Sequence, residues 1–140
     1  MKASELPLTY NAVNILEHNL TARADKVALY TADRELTFQQ VADEVNQVGH
    51  ALKKLGVRLG ESVGILSLDC AEWVTSFFGV VKIGAVAVGM NALLKPPEQA
   101  YILRDARVRT LIVHSALLPA IEPIRDELEF LTHVIVIGGT

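Results

Sequence analysis

Cys70 follows Asp69 where an apolar run, SVGILSL (62–68), gives way to helical spacing. The start of a helix stabilises a thiolate, and nucleophilic cysteines use such positions. With Asp69 adjacent and no obvious base beside it, Cys70 is better read as a plain helix-opening residue. Asp69 has the side chain of a helix cap. As a general base or metal ligand it lacks a second carboxylate at helical spacing. Lys95 precedes Pro96-Pro97 on a predicted loop beyond a strand's carboxyl end, where parallel α/β sheets take their ligands. It is the candidate ligand-contacting residue. Arg104, Asp105 and Arg107 near a predicted helix end read as a solvated charge cluster, with phosphate binding as the alternative.

Other chemistries find less support. His18, His50, His114 and His133 are not at metal-ligand spacing with one another or with Cys or Asp. There is no G-x-x-x-x-G-K-S/T loop and no G-x-G-x-x-G turn. Gly60, Gly64, Gly79, Gly84 and Gly89 suit turns and close packing. Gly138-Gly139-Thr140 has the composition of a phosphate loop's beginning, but no helix follows to complete an anion site. The residues therefore spell a scaffold, with no catalytic constellation and no metal set.

The elements that must position these residues alternate. Asn11 is placed to cap a helix running to about Ala24. VALYTA (27–32) and ELTF (35–38) predict a hairpin. Thr37 and Gln40 form a capping box for a helix whose apolar stripe is Val41, Val45, Val48 and Leu52, ending at Gly56. An apolar strand (62–68), a helix (73–83), a Gly84 terminus and a buried strand (85–90) follow. Pro96 and Pro97 open the helix PPEQAYILRDA. RTLIVH (109–114), a helix over 119–128 and a last buried strand, HVIVIG (133–138), complete the chain. From Thr37 onward the pattern predicts an α/β fold, a mostly parallel sheet with helices on both faces.

Residues 73–94 are apolar enough to suggest a membrane span. Lys82 at its centre would cost about 3 kcal/mol in a bilayer, and Gly84 divides it into helix and strand. We expect no membrane span. Thirteen basic against sixteen acidic residues in 140 give no electrostatic case for nucleic acid. The single cysteine excludes an internal disulfide and fits a reducing cytoplasm. The amino terminus has no signal-peptide pattern.

In order and spacing, ELTFQQVADEVNQVGHALKKLGV and GESVGILSLDCAEWVTSFFGVVKIGAVAVGMNALLKPPEQAYILRDARVRTLIV resemble the amino-terminal region of the AMP-forming adenylating enzymes. Leu36-Thr37-Phe38, Gly60-Glu61-Ser62-Val63, Lys82-Ile83-Gly84-Ala85-Val86 leading to Asn91, and Tyr101 through Ala106 carry the match. Asn91-Ala92-Leu93-Leu94 looks more like the acid–CoA ligases than the peptide-synthetase domains. The resemblance implies that residues 1–140 are a partial amino-terminal domain, the incomplete first subdomain of such an enzyme's large domain. The parent would convert a carboxylic acid with ATP and Mg²⁺ to an acyl-adenylate, then to a CoA thioester. The family's phosphate loop, acidic motif and lid lysine are absent here, so this piece alone is expected to be inactive and without a cofactor. Some aryl-CoA ligases place a basic side chain just after the residue matching Asn91, near the CoA phosphates. Leu93 stands there, which leaves Lys95 as the substitute CoA contact. The expected partner is the remainder of the parent chain, and the isolated piece is expected to form a homo-oligomer, a dimer. The alternative is a free-standing α/β interaction module.

Overall fold

The computed structural model describes Glu5 and residues 9–139. Its centre is a four-stranded parallel sheet built from β3 (Ser62–Leu66), β4 (Val86–Met90), β5 (Thr110–His114) and β6 (His133–Ile137), in the order β4-β3-β5-β6. A separate antiparallel pair, β1 (Val27–Tyr30) with β2 (Glu35–Thr37), forms the expected hairpin. Side chains alternate along the strands, and helices cover both faces as predicted. Val63, Ile65 and Ile112 pack under α3 (Phe38–Lys54) and α4 (Ala71–Lys82). Leu66, Leu111 and Val113 pack under α5 (Pro96–Asp105) and α6 (Leu118–Ile121).

The long helices stop in one way. Gly56, Gly84 and Arg107 adopt positive φ after α3, α4 and α5. Past each, an amide reaches back five residues: Val57 to the Leu52 carbonyl at 3.0 Å, Ala85 to Val80 at 3.2 Å, Val108 to Leu103 at 2.9 Å. This 6→1 bond turns the chain and drops an apolar residue into the core. Arg107, with φ 50°, occupies the left-handed position without glycine's freedom, at a cost of about 1 kcal/mol. The start of α3 is as read: Thr37 Oγ1 accepts from the Gln40 amide at 3.2 Å, and Gln40 Oε1 accepts from the Thr37 amide at 2.8 Å.

Four expectations need correction. The first helix is two short turns, α1 (Asn14–Glu17) and α2 (Leu20–Arg23). Asn19 Nδ2 takes the Ile15 carbonyl at 2.9 Å while the Asn19 amide bonds Leu16 at 3.1 Å, so the helical ladder breaks there. Asn11 does open this segment, its Oδ1 accepting from the Val13 amide at 2.9 Å. The helix expected over 119–128 is α6 followed by a 3₁₀ segment, Glu122–Glu127. Asp69 does not cap α4: Cys70 is the N-cap residue, with no side-chain cap. Strands β4 and β6 are not fully buried, because they are the sheet's two edges; Val86 and Val136 are about half exposed, at 49% and 48%.

Lys82, the charge within the apolar run, has a structural task. It closes the outer end of α4 by pairing with Glu17 on α1 and donating to Asn46 Oδ1 on α3 at 2.6 Å. Asn11 Nδ2 donates to the neighbouring Val81 carbonyl at 2.9 Å. Arg34 plays the same part for the hairpin. Its Nη1 meets Glu44 Oε1 and its Nη2 meets Glu72 Oε1, each at 2.7 Å, tying the turn to α3 and α4. Partial burial pushes the Arg34 guanidinium down, and the Glu44 hydrogen bond with the charges of Glu44, Glu72 and Asp33 more than reverses it, for a net rise.

Candidate ligand edge at the carboxyl ends of the strands

Strand order fixes where a ligand would lie. The loop after β3 leads into α4 on one face of the sheet, and the loop after its neighbour β5 leads to α6 on the other. Adjacent strands whose exits diverge leave a crevice at their carboxyl ends. Ser67, Leu68, Asp69 and Cys70 border it after β3, and His114 and Ser115 after β5. The loop 91–95 after β4 lies on the far side of β3.

Ser67 is buried at 6% exposure. Its Oγ donates to the Leu68 carbonyl at 3.0 Å and lies 3.4 Å from Cys70 Sγ. Among the described residues the half-buried thiol has the Ser67 hydroxyl as its hydrogen-bond neighbour. A groove of about 370 Å³ runs between the loops after β3 and β4, lined by Ser67, Asp69, Trp73, Asn91 and Leu93 among others. A second, of about 380 Å³, lies between the hairpin and the start of α4, with Tyr30 and Cys70 in its wall. Asp69 and Trp73 line both. Trp73 stacks on Phe77 with ring centroids 5.5 Å apart and planes within 5°, and its six-membered ring covers Gly89 on β4.

The loop after β4 is set by short-range bonds. Asn91 Oδ1 accepts from the Leu93 amide at 2.9 Å, an Asx turn. Glu98 Oε2 accepts from the Lys95 amide at 2.8 Å, which fixes the first turn of α5 and leaves the Lys95 side chain exposed. Leu93 beside it is 90% exposed. Between β5 and β6, Ser115 Oγ donates to the Gly138 carbonyl at 2.7 Å, and His114 Nδ1 accepts from the Ala116 amide at 3.1 Å. The His114 ring lies against Gly138 so closely that a Cβ there would overlap it. Thr140 is outside the described residues.

Of the residues singled out by chemistry, the fold brings Asp69, Cys70, Lys95 and His114 to one edge and leaves the others apart. Arg104 and Asp105 end α5 at the opposite edge, beside Glu127 and Glu129. His18 follows α1, His50 is exposed on α3, and His133 opens β6. Among the described residues no three His, Cys, Asp or Glu side chains gather to hold a metal ion. Also among them, no helix is long and apolar enough to cross a membrane. Trp73 and Ser67 are the site residues that sequence reading did not assign to the edge. Their signal was position alone, next to a strand's carboxyl end.

A parallel sheet with a crevice at its carboxyl edge places the chain among the open α/β folds that take ligands there. The comparison with known families makes this specific: the AMP-binding enzyme model matches residues 16–140, and the chain belongs to that family. A crystal structure of an anthranilate–CoA ligase in complex with anthranoyl-AMP is 68% identical over 99% of this chain and 27% of its own, with a TM-score of 0.95. The benzoate–CoA ligase of Thauera aromatica is 32% identical, over 98% of this chain and 27% of its own length. The N-terminal domain of FACL13 from Mycobacterium tuberculosis superposes with a TM-score of 0.85 at 28% identity, over 91% of this chain and 33% of its own. The chain thus spans about a quarter of the ligases it matches and corresponds to their amino-terminal portion.

Proposed function

We propose that this chain is the amino-terminal scaffold of an aryl acid–CoA ligase acting on anthranilate or a closely related aromatic acid, with residues 1–140 a partial domain. The observation that carries this is the 68% identity to the anthranilate–CoA ligase over 99% of the chain. The parent would join the acid to AMP with loss of pyrophosphate and then transfer the acyl group to CoA. ATP and Mg²⁺ would be handled by the rest of the polypeptide, as the family resemblance implies. Lys95, exposed at the start of α5 and close to Leu93, would meet the CoA phosphates as a point charge. A cytoplasmic location suits the single half-buried thiol. As an isolated piece the chain would pair with itself through its open sheet edges, where Val86 on β4 and Val136 on β6 are about half exposed.

The decisive experiment is to read the native coding sequence past codon 140, express the full polypeptide, and measure pyrophosphate exchange and thioester formation. Anthranilate, benzoate, hydroxybenzoates and a fatty acid are the acids to compare. Highest kcat/KM with anthranilate is expected, and preference for the fatty acid would overturn the substrate assignment. Lys95→Ala in that enzyme should raise the KM for CoA about tenfold with little change in kcat. An unchanged KM removes Lys95 from the site.

A further inference from the structure

At the amino ends of β3, β5 and β6 lies a small cleft of about 150 Å³, bordered by Arg58, Glu61, Arg109, Thr132 and His133. It holds two guanidinium groups and an imidazole against one carboxylate. Neither guanidinium is engaged in a hydrogen bond there, and both side chains are exposed. Arg58's side chain makes no hydrogen bond or ion pair among the described residues, and Arg109 Nη1 reaches Glu61 Oε1 only at 3.9 Å, beyond hydrogen-bond range. Two exposed guanidiniums bordering one cleft offer an anion charged N–H donors in the planar fork that matches phosphate oxygens.

The rest of the cleft is rigid. The Arg109 carbonyl accepts from the Thr132 amide at 2.8 Å, the His133 amide at 3.0 Å and Thr132 Oγ1 at 3.0 Å. Because Thr132 gives its proton to that carbonyl, its oxygen accepts from His133 Nδ1 at 3.0 Å, which fixes the imidazole. Glu61 Oε2 in turn accepts from the Arg58 amide at 3.1 Å, so the carboxylate is held by the backbone. The volume is roughly that of five waters, well below what a nucleotide or drug-sized ligand needs.

We propose that this cleft binds a single phosphate group, either as inorganic phosphate or at the end of a small phosphomonoester. Arg58 and Arg109 supply the charged donors, and Glu61 sets the affinity by competing for Arg109. The site lies across the sheet from the ligand edge and does not depend on the acyl substrate proposed above. The test is an NMR titration of the 140-residue chain with inorganic phosphate and, separately, glycerol phosphate, against chloride at equal ionic strength. Saturable shifts at the Arg58, Thr132 and His133 amides are expected, and the tighter of the two ligands identifies the source. Arg58→Gln and Arg109→Gln should each weaken binding about tenfold. Glu61→Gln, which keeps an acceptor for the Arg58 amide, should tighten it severalfold, an outcome that loss of folding cannot mimic. Shifts that fail to saturate, or Glu61→Gln binding no tighter than the parent, would overturn the proposal.

Discussion

The two faces of the sheet are held by different physics. Under α5 and α6 the contact is almost wholly apolar: Leu66, Leu103, Leu111, Val113, Ile121 and their neighbours form one cluster. Its polar exception is Gln99, buried at 1%, whose Nε2 donates to the Leu94 carbonyl at 2.9 Å while Oε1 is left without a partner. On the α3 and α4 face, close helix packing is combined with charge. Gly79 lets α4 approach Val48 of α3, and Arg34 and Lys82 tie the hairpin and the amino-terminal turns to the helix pair. The apolar face is the one that carries the short helix α6 and the 3₁₀ segment after it. The other must place the start of α4, Trp73 and the loop after β3, and it does so with directional bonds. Positioning of the ligand edge therefore depends on the second face more than on the first.

The first way to break this comparison is to remove volume from each face. Leu111→Ala and Leu52→Ala should each cost about 3 kcal/mol in urea unfolding, since both are fully buried. A small effect at Leu111 would mean that the α5 face is not a packed core. Next, Gly79→Ala should cost roughly 1–3 kcal/mol, because the new Cβ would stand 2.6 Å from Val48 Cγ1 and 3.2 Å from the Val45 carbonyl. A neutral result would show that α3 and α4 can separate freely. Arg34→Gln should cost about 1 kcal/mol, the side chain being 33% exposed and its pairs screened by solvent. It should also speed amide exchange in β1 and β2 while leaving β5 unchanged. Equal acceleration in both would deny the division between faces. Smallest is Gln99→Leu, expected within about 1 kcal/mol of zero because it trades one hydrogen bond for removal of an orphaned acceptor. A loss of several kcal/mol would mean that the carbonyl oxygen has a partner.

Much of this was legible in the residues. The capping box at Thr37 and Gln40, the terminator at Gly84 and the prolines opening α5 are local devices, and each stands where its sequence put it. The apolar runs correctly gave parallel strands, but they did not reveal which strands are edges, because β4 and β6 are as apolar as β5. Edge or centre is a property of strand order, a long-range outcome. The fate of Asp69 was missed for a similar reason: Asp and Cys compete for one capping position, and the chain enters α4 one residue later than the better capping side chain suggests. At the ligand edge, Lys95 and Cys70 were found by type. Trp73 acquires its place only once α4 lies over Gly89.

The strand order has a further consequence in time. No strand of the main sheet pairs with a sequence neighbour across a tight turn: Val63 must find Ala87 on one side and Thr110 on the other. During synthesis the central strand β3 therefore waits with both backbone edges bare until α4 and β4 have left the ribosome, and with one edge bare until α5 and β5 follow. Long-range parallel pairing of this kind closes slowly. The hairpin and α3, made of local contacts, are available first as the surface on which α4 and then β3 come to rest.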